Sequence, residues 1–172
     1  MPFDNEHIAK AVETLLEAEL GDALDTVETE WASDPVTLPE PETWFYGHKP
    51  TVLELESADF PFLAVIPTAR RPLRSHYTWG FQDQNPVVYV DWFVVATGET
   101  TVDKLCSRYA QAVLAVVQSQ RAYYGYDLVD YEPQIDLSEA SRHPKTADSD
   151  MFDDAQVDFI KMGRMTLEFG GG

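Results

Sequence analysis

Basic residues are scarce in this chain, 12 against 30 acidic ones among 172, and the resulting charge of −18 disfavours several roles at once. Such a surface repels nucleic-acid phosphates and anionic lipid, so gripping DNA or coating a membrane is not expected. Cysteine is scarcer still. The one thiol, Cys106, cannot form an internal disulfide, which suits a reducing cytoplasm. No apolar run approaches the roughly 20 residues of a membrane helix, and the opening MPFDNEHIAK has none of a signal peptide's apolar core. Also missing are a glycine-rich phosphate loop and a Gly-x-Ser-x-Gly elbow. His7, His48, His76 and His143 stand alone, without a second ligand at helical or turn spacing. The pairs Asp148/Asp150 and Asp153/Asp154 lack the glycine and closing glutamate of a calcium loop. These absences lead to the expectation of no catalytic centre, no metal and no cofactor.

What is present is ordinary globular material, 44% hydrophobic and 12% aromatic, of a length that fits a single domain over 1–172. Residues 1–50 read as an N-terminal helix and a proline-rich connector, and 51–169 as an α+β core. Residues 170–172 read as a disordered tail. Asp4 or Asn5 can cap the first helix, whose stripe of Ile8, Val12, Leu15 and Leu16 ends near Gly21. Leu20, Leu24, Val27 and Trp31 keep helical spacing into a second piece. Pro35, Pro39, Pro41 and Pro50 then make Ser33 to Pro50 an extended connector.

Strands are expected at Thr51–Glu56 and Phe60–Ile66, with a long arm from Thr68 to Pro86 after them. Val87 to Ala96 is apolar except for Asp91, as in a strand covered on both faces. Thr100 and Asp103 approximate a capping box. Val102, Leu105, Cys106, Tyr109, Ala112, Val113, Val116 and Val117 follow on one face of a long helix, so Cys106 reads as a small core residue. Asp127–Ile135 is a further strand and Asp136–Asp154 an acidic loop. Ala155–Phe169 is a last strand with a bulge or bend at Gly163. The fold class is α+β: a mixed or antiparallel sheet packed by a long central helix and an N-terminal helix, with long projecting loops.

Two features stand out as interaction surfaces. Tyr123, Tyr124, Tyr126 and Tyr131 cluster after the long helix, with Trp31, Trp44 and Trp79 elsewhere in irregular segments. Such aromatics serve as interface anchors or as satellite core. Arg70, Arg71 and Arg74 lie close together in the arm. They are either a solvated hairpin's charges or a positive patch complementary to the rest of an acidic surface, as a head-to-tail contact between identical subunits would use.

The order of a helix, a proline-rich connector, TVLELESADFPFLAVIP, a long arm, VVYVDWFVVATGETTVDKLCSRYAQAVLAVVQSQR and a closing AQVDFIKMGRMTLEF resembles tail terminator proteins of long-tailed bacteriophages, the tail-completion or head–tail joining class. The likeness spans residues 50 to 169 and rests on element order and texture, notably the strand Val87–Ala96, the turn Gly98–Asp103 and the helix Arg108–Val117. It implies a non-enzymatic virion protein, assembled in the host cytoplasm and located at the tail–neck junction. It also implies a homohexameric ring that ends tail-tube growth, contacts the tube protein and the head-neck stopper protein, and lets DNA pass without binding it. On that reading Arg70, Arg71, Arg74, Trp79, Tyr123 and Tyr124 are candidate subunit or tube contacts. Asp136, Glu139, Asp148, Asp150, Asp153 and Asp154 are candidate residues of an acidic channel or tube-facing loop. Other readings are a different phage neck or head-completion connector, a small acidic binding protein, or an enzyme with dispersed site residues.

Overall fold

The computed structural model describes residues 4–48, 60–72, 84–120, 122–123, 125–134, 141–143 and 158–170. Two helices, α1 (Asp4–Glu30) and α2 (Glu99–Ser119), lie with seven strands: β1 (Thr43–Tyr46), β2 (Phe62–Pro72), β3 (Gln84–Ala96), β4 (Ala122–Tyr123), β5 (Tyr126–Gln134), β6 (Ser141–His143) and β7 (Asp158–Gly170). The sheet runs β1-β2-β3-β7-β5-β4, with β6 also paired to β7. Only β1 pairs in parallel, to β2, and the other described pairings are antiparallel. This is the α+β fold with a mixed sheet that the periodicity predicts.

The reason lies in which residues alternate. Leu63 and Val65 of β2, Val88, Val90, Trp92 and Val94 of β3, and Met165, Leu167 and Phe169 of β7 form one buried row set. The α1 stripe of Ile8, Val12, Leu16, Leu20, Leu24 and Val27 packs into the same core, as does the α2 stripe predicted above. Cys106 sits there fully buried, and its carbonyl accepts the Trp92 Nε1–H at 3.2 Å.

Several boundaries differ from expectation. α1 continues unbroken through Gly21 to Glu30. A mid-helix glycine costs about 1 kcal/mol, which the burial of Leu20, Leu24 and Val27 around it offsets. A Cβ at residue 21 would meet only the carboxylate end of the exposed Glu40, which can swing aside. Asn5 lies inside α1 and not ahead of it: its Nδ2 donates to the Thr68 carbonyl of β2, and its Oδ1, the atom a cap would use, accepts no hydrogen bond among the described residues. The Thr100/Asp103 capping box does not form. Gly98 is the N-cap of α2 without a side-chain bond, and Asp103 instead receives Lys161 Nζ at 2.6 Å.

β1 lies within the expected connector, and β6 within the expected acidic loop. Gly170 belongs to β7, opposite Asp127, and is no part of a tail. Gly163 makes no bend: β3 and β7 stay in register from Val87↔Glu168 to Ala96↔Phe159. The glycine is needed because the Trp92 indole lies over it, 2.2 Å from where a Cβ would be. The expected strand Thr51–Glu56 lies outside the described residues.

Candidate functional site

The arm that begins at Thr68 is, for its described part, a two-stranded ribbon. β2 and β3 pair from Phe62↔Phe93 to Thr68↔Val87 and again at Arg71↔Asn85 and Pro72↔Gln84. β1 has left β2 after Val65, and β7 leaves β3 after Val87, so beyond that point the ribbon has no third strand among the described residues. The break in register has a chemical cause. Ala69 and Arg70 stand opposite Pro86, which has no N–H to give the ladder, and a β-bulge absorbs the extra residue. Arg70 and Arg71 therefore sit in and next to the bulge of a projecting ribbon. Arg74 and Trp79 lie outside the described residues.

The second surface is the outer seam of the two helices. α1 and α2 run antiparallel. Ser119 Oγ donates to Glu19 Oε2 at 3.0 Å, and Gln111 Nε2 donates to Glu30 Oε2 at 2.9 Å. Between these two clasps lies a groove of about 460 Å³ with an apolar floor of Ala23, Val27, Ala115 and Val116. Its α1 rim carries Glu19, Asp22 and Glu30, all exposed, and none meets a lysine or arginine among the described residues. At the Glu30 end stands Trp31, 44% exposed, with Nε1 donating to Gln111 Oε1 at 3.1 Å.

Trp31 is held by charges behind it. The Arg108 guanidinium lies 5.0 Å from its ring centre and donates through Nη2 to the Asp34 carbonyl (2.8 Å) and to Asp34 Oδ2 (3.1 Å). Lys104 Nζ reaches Asp34 Oδ1 at 2.7 Å. The Lys104 hydrogen bond foremost, with both cations' charges, holds the Asp34 carboxyl below its ordinary range, so it stays ionised in mild acid. Sequence reasoning missed Glu19, Asp22, Glu30 and Gln111. The i, i+3, i+7, i+11 spacing of Glu19, Asp22, Thr26 and Glu30 on α1 was the available signal.

Away from the helices the sheet carries a different constellation. Arg164 on β7 donates Nε to Asp91 Oδ1 (2.6 Å) and Nη2 to Asp91 Oδ2 (2.7 Å), a bidentate pair across directly opposed residues. Asp91 is fully buried, and the Tyr89 ring stands 4.3 Å from Arg164 Cζ. The Asp91 hydrogen bond raises the Arg164 pKa further, so the cation is permanent. Beside this pair, Phe62, Phe93 and Met162 form a small cluster flanked by Phe45 and Phe60. No group of three or more potential metal ligands occurs among the described residues.

The remaining sequence candidates fall as follows. Tyr123 is fully buried, with its hydroxyl donating to the Val117 carbonyl at 2.7 Å and its ring edge-on to Phe169. It is a core residue of this chain and offers no exposed contact. Burial also pushes its hydroxyl pKa well above the ordinary phenol range. Tyr131 is exposed on β5. Tyr124, Asp136, Glu139, Asp148, Asp150, Asp153 and Asp154 lie outside the described residues. No protein-family model matches the chain, and no curated protein sequence matches it.

Proposed function

We propose that this chain is a structural subunit of a phage tail terminator ring, ending tail-tube growth and joining the tube to the head neck. The observation that carries the reading is the separation of charge on one scaffold. A projecting ribbon bears Arg70 and Arg71, and an acidic helical seam lies elsewhere on a chain of net −18. Distinct complementary patches on one subunit suit head-to-tail contacts, which form a ring where the rotation between subunits closes. The resemblance in element order over residues 50 to 169 supplies the tail context and the six-fold count. The acidic residues Asp136, Glu139, Asp148, Asp150, Asp153 and Asp154 then face the channel, where carboxylates let DNA slide instead of sticking.

The test is a tube-growth assay. Tail-tube protein is polymerised with and without the purified chain, and tube length is followed by light scattering. A terminator arrests growth at substoichiometric ratios to tube subunits. Tubes that elongate equally in its presence would reject the reading.

A further inference from the structure

β5 carries the most open edge among the described strands. β4 borders it only at Tyr123↔Tyr126 and Ala122↔Asp127, and beyond Asp127 no strand lies on its outer side among the described residues. Val129, Asp130, Tyr131, Glu132 and Pro133 are all exposed, so solvent reaches this edge along five consecutive residues. Val129 and Tyr131 are also two of the three exposed large hydrophobics among the described residues. A β-branched and an aromatic side chain on an open edge favour pairing with a second strand, and pairing of that kind between copies leads to aggregation.

The backbone of the same stretch withholds what a second strand needs. In an antiparallel ladder, successive pairs turn their N–H and C=O groups alternately towards the partner strand and away from it. Asp130 to Gln134 pair with Glu168 to Arg164 of β7 without a break. Pro133 has no N–H, and a ladder accommodates proline where that position faces outward. Pro133 and, two residues back, Tyr131 therefore turn their backbone groups outward, while Glu132 and Gln134 face β7. The Tyr131 N–H agrees with this, because Asp130 Oδ1 accepts it at 2.9 Å. Of the two outward positions, one donor is taken by a carboxylate and the other does not exist. A bulge at Val129 shifts the register between Leu128 and Asp130 just upstream. Asp127, Asp130 and Glu132 add three negative charges within six residues, and two copies of this edge laid side by side would bring like charges together.

We infer that β5 is an edge closed by its own residues. Asp130, by holding the Tyr131 N–H, and Pro133, by lacking one, keep a strand of a second copy from adding to the sheet there. The bulge and the carboxylates act in the same sense. This device does not depend on the ring reading, and it leaves contacts between copies to surfaces other than the backbone of this edge.

Opening the edge tests the inference. D130A frees one outward donor and P133T supplies the other, both at exposed positions. D25A removes the same charge from an exposed site on α1 and serves as the control. Thioflavin T fluorescence and sedimentation are followed at equal chain concentration, with near-ultraviolet circular dichroism reporting that each variant starts folded. D130A/P133T is expected to form sheet-rich assemblies about tenfold faster than the parent, with each single variant in between and D25A parent-like. Assembly of the double variant at the parent's rate overturns the inference. Equal acceleration by D25A does so too, since charge alone would then be the cause.

A second measurement needs no assembly. Amide hydrogen exchange, read by NMR on the folded parent and on D130A, should show the Tyr131 amide exchanging about fivefold faster or more in the variant, as for a lost hydrogen bond to a charged group. The amides of Glu132 and Gln134, which face β7, should exchange as in the parent. An unchanged Tyr131 amide, or a uniform rise along β5, overturns the inference.

Discussion

Along β3, Val90, Trp92 and Val94 face the helices while Tyr89, Asp91 and Phe93 face away, and all of these are buried except the half-buried Tyr89. The helix side is held mainly by apolar area, with the one Trp92–Cys106 hydrogen bond: Trp92 fills the space over Gly163, and Met165 and Leu167 continue the layer. The opposite side has a small aromatic cluster and a directional fork, Arg164 on Asp91. Apolar packing is non-directional, but Trp92 over its opposed Gly163 already selects one pairing. The bidentate Arg164–Asp91 pair between opposed residues fixes the same register of β3 against β7 from the other face. Most of the apolar burial thus lies on the helix side, while register is set on both faces, by Trp92 over Gly163 and by the Arg164–Asp91 fork.

Five variants test that contrast. Trp92→Ala empties the helix side and is expected to cost about 3–5 kcal/mol by urea denaturation, in the range of buried aromatic truncations. Asp91→Ala, on the other side, leaves Arg164 uncompensated at a cost of about 3 kcal/mol, the low end for broken buried pairs because Arg164 keeps some access to water. The D91L/R164L double variant should regain most of that loss. If Asp91→Ala costs no more than a surface change, the fork has no structural role. Gly163→Ala pushes a methyl into the Trp92 ring, with an expected cost of about 1–3 kcal/mol. Combined with Trp92→Ala it should cost far less than alone, since the ring it strikes is gone.

The smallest effect belongs to Asp34 and depends on pH. Its folded pKa is lowered, so its contribution is fully present above the ordinary value of 3.8 and fades as pH falls through the folded value. Denaturation midpoints of Asp34→Asn and parent should therefore differ at neutral pH and converge in strong acid. A gap that persists there would contradict the assignment.

α2 and β3 were legible from spacing because each buries residues at a single dominant period, or at every position. β7 misled because both of its faces are buried. Ile160 and Met162 serve one side and Met165, Leu167 and Phe169 the other, so the apolar residues on either side of Gly163 that suggested a bulge or bend reflect two buried faces. β1 was hidden by its neighbours: four residues, TWFY, uniformly half-buried at an edge, directly follow Pro39 and Pro41. Of the candidate site, the ribbon's arginines were visible as a local charge cluster. The groove was not, since its clasps join residues 80 to 100 positions apart, and no local pattern encodes how α1 and α2 align.

On the proposed reading, this scaffold is a ring subunit seated on a tail tube. Electron microscopy of tail tubes incubated with the chain, with rotational averaging of the tube ends, tests it most directly. A six-fold ring of added density closing the head-proximal end is expected. Bare tube ends, with the chain remaining free in solution, would contradict it.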